Sequence, residues 1–528
     1  MKRRQFLRNT IPAAILPSLV DGMSGRVLGD NPIMSALLNT YVESDRVLVI
    51  VQLNGGNDGL NMVIPLDQYS NYVNARSNIA IAQSKVLSLT GTNAVGLHPS
   101  MTGLQAMYNA GKVRLVQAVG YPNPNFSHFR ATDIWMSAAD STQLLTSGWA
   151  GRYLADQYAN YPVGYPNTNM PDPIGIQIGS STSLTFQGPS VNMGISITSA
   201  TNFYNLINGV QDPAPATPAG DALQYVRLVA QQSNQYAARI VAAANTVPTQ
   251  GAYPPPNTNT LADQLKIVAR LIKGGLKTRV YMVSMGGFDT HSLQTNSTDT
   301  SIGTHATLMQ RLSDAIKAFQ DDIKGLGVED RVLGMTFSEF GRRIKSNASV
   351  GTDHGAAAPL FVFGSKVNPG ITGVNPTIPV SATVNDNIPM QYDFRSVYST
   401  ILQNWFCVDN TTLQSIMLQN FQQLGLCASG SCLTTDVNDI RNAGVSLISN
   451  YPNPFTQSTT ISFTTKGGHT LVQIIDTLGR VISTPVDREY TPGNYRISFD
   501  SYGLPTGVYY LRFQNGITQQ VKGMLKAR

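Results

Sequence analysis

The sequence RVLVIVQL at residues 46–53, followed directly by NGGNDG at 54–59, indicates a buried strand that ends in a polar turn. The apolar run does not alternate with polar residues, which is typical of a strand covered on both faces in a parallel sheet. Four further runs have the same texture: 112–119 (KVRLVQAV), 278–285 (TRVYMVSM), 330–337 (DRVLGMTF) and 359–363 (PLFVF). Helical patterns separate several of them, so we predict an α/β domain with a mostly parallel sheet flanked by helices.

Length and composition narrow the class of protein. A chain of 528 residues exceeds what one hydrophobic core usually organises, so more than one folded unit is expected. Charged residues make up only 13% of the chain, and the net charge of +6 is spread without a basic run in its body. This pattern is typical of an exported protein and gives no support to nucleic-acid binding. No apolar stretch is long enough to be a transmembrane helix.

The first residues are typical of an export signal. Residues 2–8, KRRQFLR, place paired arginines ahead of a short apolar run, Ile11 to Val20. The pattern resembles a twin-arginine signal, so we assign residues 1–30 to a signal peptide recognised by the twin-arginine export machinery. An ordinary secretory signal that contains Arg-Arg is the alternative.

The last 80 residues have a different texture, with short alternating segments separated by turn residues. We predict a small antiparallel β-sandwich over 448–528, joined to the α/β domain (45–426) by a linker at 433–447. The motifs YPNPF (451–455), DTLGR (476–480) and LPTGVYY (504–510) resemble the C-terminal sorting domain of type IX secretion substrates. That resemblance implies export to the cell surface or the extracellular space. A generic adhesive or carbohydrate-binding sandwich is the alternative.

Polar clusters stand at or next to the predicted strand ends, and ligands of open α/β sheets bind at the carboxyl ends of strands. We therefore expect the clusters to converge, and they are NGGNDG (54–59), NFSHFR (125–130), GGFDTH (286–291), SEFGR (338–342) and GTDHG (351–355). Asp, Glu and His without Cys form the ligand set of hydrolytic Zn, Mn, Mg or Ca centres. Ser127 is a candidate nucleophile that such a metal would activate.

Each residue also has a structural interpretation. Asp58 beside glycine is a common turn, Asp289 and His291 are possible loop caps, and Ser127 is a possible helix cap. Glu339 and Arg342 are a possible ion pair. We expect His98 and His305 to be structural and His469 to be solvated. Cys427 and Cys432 are placed to form a local disulfide, whereas Cys407 is expected to be a buried apolar side chain. Residues 160–260 are interpreted as an insertion over the sheet.

Seven ordered motifs between residues 45 and 425 resemble the domain of unknown function 1501 family, which is itself related to the alkaline phosphatase and sulfatase superfamily. They are GGNDGLN (55–61), SHF (127–129), SGWAGRYL (147–154), GGFDTH (286–291), SEFGR (338–342), GTDHG (351–355) and DFRSVY (393–398). The resemblance implies metal ligands at Asp58, Asp289, His291, Glu339 and His354. Asp353, next to His354, is a further candidate ligand of the divalent metal (Zn, Ca, Mg or Mn). The resemblance also implies Ser127 as the nucleophile and His128 as a general acid, with Arg130 or Arg342 holding the ester oxygens.

One position departs from the superfamily pattern. Where that pattern has an acidic residue followed by histidine, this chain has Glu339-Phe340. The expected function is therefore an exported metal-dependent hydrolase acting on a phosphate or sulfate ester substrate through a serine nucleophile. The alternative is a non-catalytic cell-surface binding or assembly protein on a degenerate metallohydrolase fold.

Overall fold

The computed structural model describes residues 45–199, 217, 235–247, 250–427, 448–465, 467–476, 479–515 and 518–527. The chain divides into two compact units, one formed by Ser44–Cys432 and the other containing the C-terminal residues from Leu433 onward. The predicted signal peptide (1–30), the predicted linker (433–447) and Cys432 lie outside the described residues.

The first unit is built on a nine-stranded sheet and a separate three-stranded sheet. Its strands are β1 (Val47–Leu53), β2 (Val63–Pro65), β3 (Leu87–Leu89), β4 (Thr92–Leu97), β5 (Val113–Gly120), β6 (Gly175–Ile178), β7 (Ile195–Ile197), β8 (Val280–Met285), β9 (Val332–Phe337), β10 (Ala358–Phe363), β11 (Gly370–Thr372) and β12 (Tyr392–Asp393). The large sheet has the order β11-β5-β10-β9-β1-β8-β6-β7, with β12 beside β5, and the small one has the order β2-β4-β3.

The large sheet is mostly parallel, as the sequence predicted. β1 pairs in parallel with β8 on one side and with β9 on the other. β10 is antiparallel to both β9 and β5, so it begins at the edge where β1, β5, β8 and β9 end. The segment 351–355 directly precedes β10, and this reversal therefore brings it to the carboxyl edge of the parallel strands.

The interpretation of residues 160–260 as an insertion over the sheet is wrong for part of that region. β6 and β7 both come from it, and they extend the sheet beyond β8 through parallel pairing. These strands have the short sequences GIQI and ISI, and they were not recognised as strands because their flanks are rich in proline and asparagine.

Helices cover both faces of the large sheet. They are α1 (Gly59–Met62), α2 (Tyr69–Ala75), α3 (Thr102–Asn109), α4 (His128–Ser137), α5 (Trp149–Gln157), α6 (Thr260–Lys273), α7 (Thr304–Gly325), α8 (Phe394–Thr400) and α9 (Asn410–Met417), and a π-helical turn, Ile401–Trp405, follows α8. All seven residues of β1 are buried. Its odd-numbered side chains pack under α3, α6 and α7, and Leu48 and Ile50 pack under α4, α5 and α8. Burial on both faces is the physical reason for the uninterrupted apolar run.

The C-terminal unit contains two antiparallel sheets, which confirms the predicted architecture. Its strands are β13 (Ile448–Tyr451), β14 (Ser458–Thr465), β15 (Gly468–Ile475), β16 (Val481–Tyr490), β17 (Gly493–Asp500), β18 (Gly507–Asn515) and β19 (Thr518–Lys526). One sheet has the order β13-β14-β17 and the other β16-β15-β18-β19. Ile461 and Phe463 from the first sheet share a core with Val472, Leu511 and Phe513 from the second.

The cysteine interpretation is wrong. Cys427 is a free thiol, and burial raises its pKa to about 12. Cys407 is disulfide-bonded. The backbone of Cys427 forms a bridge with Val367, so the segment before it turns back into the core of the unit. Sequence proximity of two cysteines does not reveal which of them the fold buries.

Candidate functional site

Histidines and an aspartate converge at the carboxyl edge of the large sheet. His128 is the first residue of α4, Asp289 and His291 follow β8, and His354 precedes β10. The ligand-type atoms of His128, Asp289 and His354 all lie within 4.8 Å of one another. We call these four residues the His–Asp cluster. The antiparallel course of β10 is what places His354 beside residues that follow parallel strands.

Short distances join the imidazole Nε2 atoms to the Asp289 carboxylate. His291 Nε2 lies 2.9 Å from His354 Nε2 and 3.1 Å from Asp289 Oδ1. His354 Nε2 is also 3.1 Å from Asp289 Oδ1, and His128 Nε2 is 3.5 Å from Asp289 Oδ2. The carboxylate is therefore the common neighbour of all three rings.

The other nitrogen of each ring faces a hydrogen-bond acceptor. The Nδ1 contacts are His128 to Glu339 Oε1 at 2.9 Å, His291 to Asp353 Oδ1 at 3.3 Å and His354 to the Phe126 carbonyl at 2.8 Å. Carboxylate and carbonyl oxygens only accept, so Nδ1 is the donor in each of these contacts. The Nε2 atoms of all three rings face the Asp289 carboxylate. Metal-binding histidines are commonly fixed in this way by an acceptor on the far nitrogen.

Asp58, which the family resemblance implied as a metal ligand, lies below the cluster in a buried ion pair. Both carboxylate oxygens accept from Arg76 Nη1 at 2.8 Å, and Oδ2 also accepts from Gln294 Nε2 at 2.6 Å. Asp58 is 1% exposed and Arg76 is completely buried. Burial by itself raises the pKa of Asp58, but the charge of Arg76 outweighs it and holds the pKa below its ordinary value.

Glu339 and Arg342 are also fully buried. Glu339 Oε1 accepts from the backbone amide of Gly55 at 2.8 Å as well as from His128, so it lies behind the cluster. Arg342 donates hydrogen bonds to five acceptors, which are the carbonyls of Gly55, Gly56, Phe288 and Thr352, and Asp289 Oδ1 at 2.7 Å. Its guanidinium therefore orients Asp289 and has no face open to a substrate.

The Asp289 carboxylate is ionised and tightly placed. Partial burial raises its pKa, but hydrogen bonds from Arg342 and His354 lower it to about 2. Gly55 passes so close that an added Cβ would meet the Asp289 amide nitrogen at 2.4 Å, and its φ of +128° favours glycine. Asp353 is more than half exposed at the rim, and a hydrogen bond from Asn347 lowers its pKa.

Phe340 forms an apolar floor under the cluster. It is 1% exposed, and its ring centroid lies 4.9 Å from that of His128 and 4.5 Å from that of His354. The opposite wall is Gly56, where a Cβ would meet the Phe340 ring at 2.3 Å. Phe340 therefore packs against two of the imidazoles.

Comparison with known proteins gives the family. The profile of the family described as "Protein of unknown function (DUF1501)" matches residues 45–416. The chain belongs to the DUF1501 family. The profile of the secretion system C-terminal sorting domain matches residues 449–527 of this DUF1501 protein. The sorting domain indicates export to the cell surface or the extracellular space. Within the described residues, no helix is both long and apolar enough to cross a membrane.

None of the curated proteins matches the DUF1501 chain. Several solved structures are similar to it at low identity. A sulfatase from Pseudoalteromonas sp. has a TM-score of 0.33 and 10% identity, and the match covers 88% of this chain and 86% of that one. A Bacteroides thetaiotaomicron structure from work on the metabolism of multiple glycosaminoglycans has a TM-score of 0.32 and 9% identity, and the match covers 83% of this chain and 88% of that one.

Ser127 occupies the N-cap position of α4 in the DUF1501 protein, between two residues that contact the His–Asp cluster. The carbonyl of Phe126 holds His354, and His128 belongs to the cluster. Ser127 is exposed and makes no capping bond through its side chain. Its backbone amide donates to Asn125 Oδ1 at 2.8 Å, and among the described residues its hydroxyl has no hydrogen-bond partner.

The sequence did not identify Arg343 as a site residue. Its Nε donates to the His354 carbonyl at 3.0 Å, and its guanidinium lies 5.6 Å from the centroid of the Phe126 ring. Nη1 donates to the carbonyl of Asn385, while Nη2 has no partner in the described part of the chain. Arg130, by contrast, turns toward the carbonyls of residues 140–143. The doublet Arg342-Arg343 was the available signal, but burial alone distinguishes its two members.

Proposed function

We propose that this protein is an exported metal-dependent hydrolase that cleaves phosphate or sulfate esters, with one divalent cation held by the His–Asp cluster. The observation that carries the proposal is the convergence of three imidazole Nε2 atoms on the Asp289 carboxylate. The Nε2 atoms of His291 and His354 lie 2.9 Å apart, a separation that requires a cation or a proton between the two nitrogens. Nitrogen and carboxylate oxygen without thiolate suit Zn²⁺ and the harder divalent ions.

The spacing of the cluster supports a metal of this size. Ligands of a tetrahedral Zn²⁺ at about 2.0–2.1 Å stand about 3.4 Å apart. Here the Nε2 atoms of His291 and His354 are separated by 2.9 Å, each of them lies 3.1 Å from Asp289 Oδ1, and His128 Nε2 lies 3.5 Å from Asp289 Oδ2. Asp58 and Glu339 are not included in the proposed ligand set, because both are fully buried and Arg76 engages both oxygens of Asp58. Asp289 is 47% exposed, and Arg342 engages only its Oδ1. His128 binds the cation in this proposal and does not act as a general acid.

A bound divalent cation would supply Lewis acidity and lower the pKa of a neighbouring hydroxyl. The Ser127 oxygen would attack phosphorus or sulfur, its proton would pass to solvent, and the substrate alcohol would leave. Water would then hydrolyse the seryl ester and regenerate the hydroxyl. Ser127 is exposed beside His128, so both the substrate and the water that hydrolyses the seryl ester can approach it.

Arg343 supports an anionic substrate. Its Nη2 has no hydrogen-bond partner among the described residues. By contrast, all three guanidinium nitrogens of Arg342 donate hydrogen bonds. A guanidinium nitrogen donates charge-assisted hydrogen bonds to the oxygens of an oxyanion. Packing against Phe126 would hold this charge next to Ser127.

A non-catalytic binding or assembly role is the second candidate. Its support is Phe340, which replaces a histidine of the superfamily pattern and leaves fewer ligands than a two-metal centre needs. The shallow placement of the cluster fits either role, since Asp289 is 47% and His291 44% exposed.

One experiment separates the two candidates. The protein would be purified without chelators, its metal content measured, and its turnover assayed on a panel of phosphate and sulfate esters. The hydrolase proposal predicts bound metal and turnover that Ser127→Ala abolishes while the metal stays bound. Ser77→Ala, also an exposed serine, is the matched control and should retain activity. Bound metal without Ser127-dependent turnover would favour the binding role, and a metal-free protein whose stability ignores chelators would end both.

The export route belongs to the same proposal. We propose that residues 1–30 direct the folded protein to the twin-arginine machinery and that the sorting domain passes it to the type IX system. Replacing Arg3 and Arg4 with lysine should leave the protein in the cytoplasm, as detected by cell fractionation. Unchanged secretion of that variant would favour an ordinary secretory signal.

A further inference from the structure

We infer that Gln294 is a positioning residue of the metal site, which connects the buried Asp58–Arg76 pair to the two loops that carry Asp289, His291 and His354. This inference rests on the proposed metal site and adds a determinant of its affinity. Gln294 touches none of the proposed ligands through its side chain. Its effect passes through Thr290 and Thr352.

Both ends of the Gln294 amide form hydrogen bonds. Nε2 donates to Asp58 Oδ2 at 2.6 Å, and Oε1 accepts from Thr290 Oγ1 at 3.0 Å and Thr352 Oγ1 at 3.1 Å. Gln294 and Thr352 are completely buried, and Thr290 is 3% exposed. Only a side chain with a donor on one atom and an acceptor on the other satisfies this arrangement, because a buried group left without its partner costs free energy.

The two threonines stand next to the metal-binding residues along the chain. Thr290 lies between Asp289 and His291, and Thr352 lies two residues before His354. The amide of Thr352 also donates to the Thr290 carbonyl at 3.2 Å, so the two loops contact each other where Gln294 holds them. A shift of either threonine would therefore move a ligand relative to its partners.

The lower end of this chain of contacts is rigid. Arg76 Nη1 binds Asp58, while its Nε and Nη2 donate to the carbonyls of Ile344 and Arg343. Because Asp58 is held in a buried ion pair, it is a fixed point from which Gln294 orients both loops. Supporting contacts of this kind tune metal affinity, typically by ten- to a hundredfold.

The test compares Zn²⁺ affinities of the full chain and its variants by competition with a chelating dye, together with the Co²⁺ absorption spectrum. Gln294→Met keeps the volume and removes the hydrogen bonds. Gln320→Met is the matched control, since Gln320 is also buried and donates to a carboxylate, Glu329 Oε2 at 3.1 Å, away from the cluster. We expect Gln294→Met to weaken Zn²⁺ binding about tenfold and to change the Co²⁺ spectrum. Gln320→Met should lower only the thermal midpoint of unfolding.

Two further variants keep the test informative if Gln294→Met folds poorly. Thr352→Val removes one hydroxyl and should weaken Zn²⁺ binding by a smaller factor. Combining Gln294→Glu with Asp58→Asn exchanges donor and acceptor along the 2.6 Å contact, so it should bind Zn²⁺ more tightly than Gln294→Met. Equal Zn²⁺ affinity of the unaltered chain, Gln294→Met and Thr352→Val would overturn this inference alone. A chain that binds no Zn²⁺ at all would overturn the proposed function with it.

Discussion

Exchanging Asp58 for Asn distinguishes a buried ion pair from a metal ligand. The substitution keeps the shape of the side chain but leaves the Arg76 cation, which is completely buried, without its counter-charge. Removing one partner of a buried ion pair costs about 3–5 kcal/mol. The other Arg76 donors remain bonded to backbone carbonyls, so we expect a loss near the lower end, about 3 kcal/mol.

The assay is denaturant unfolding of the purified protein, followed by tryptophan fluorescence, with the metal content measured in excess Zn²⁺. Asp58→Asn should lower the free energy of unfolding at an unchanged m-value. The variant should still bind the metal in excess Zn²⁺. Adding Arg76→Met removes the second charge as well, so the double variant should be at least about 1 kcal/mol more stable than Asp58→Asn alone. If Asp58→Asn leaves stability within about 0.5 kcal/mol and abolishes metal binding, Asp58 is a ligand and the reasoning fails.

Three further predictions concern two buried histidines, a glycine beside the cluster and an exposed phenylalanine. Burial lowers the pKa of His98 to about 3 and that of His305 to about 4, against 6.5 for free histidine. The unfolded chain is therefore protonated first as the pH falls, and stability should drop below pH 6.5, by roughly 2 kcal/mol per histidine at pH 5. Unfolding curves of His305→Gln should lose about half of this dependence, and an unchanged slope would contradict it. Gly55→Ala should displace Asp289 and lower Zn²⁺ affinity, and normal affinity would refute the close approach. Phe129→Ala should leave the thermal midpoint unchanged, because Phe129 is 87% exposed, and a large drop would contradict that placement.

The strands and their arrangement were largely predictable because their signal is local. β1 lies on both faces of a packed sheet, and the resulting uninterrupted apolar run is visible in the sequence. Parallel strands end at one edge, so the approach of the segments containing Asp289 and His128 followed from the strand ends alone. The position of His354 depends on the antiparallel direction of β10, which no local sequence pattern predicts.

The structural roles of the individual polar residues were not predictable in the same way. Asp58 and Asp289 both follow buried strands beside glycines, and each pairs with an arginine. Asp58 is buried with Arg76, whereas Asp289 is 47% exposed beside Arg342. Arg342 and Arg343 are neighbours, and only the first is buried among carbonyls. These differences arise from tertiary contacts between residues far apart in the chain, which a single sequence does not display.

Anomalous X-ray scattering from crystals of the protein grown with Zn²⁺ tests the central claim most directly. The account predicts one zinc peak within about 2.1 Å of Nε2 of the cluster histidines and of the Asp289 carboxylate. Density at Asp58 or Glu339 instead, or no peak at the cluster at all, would contradict it.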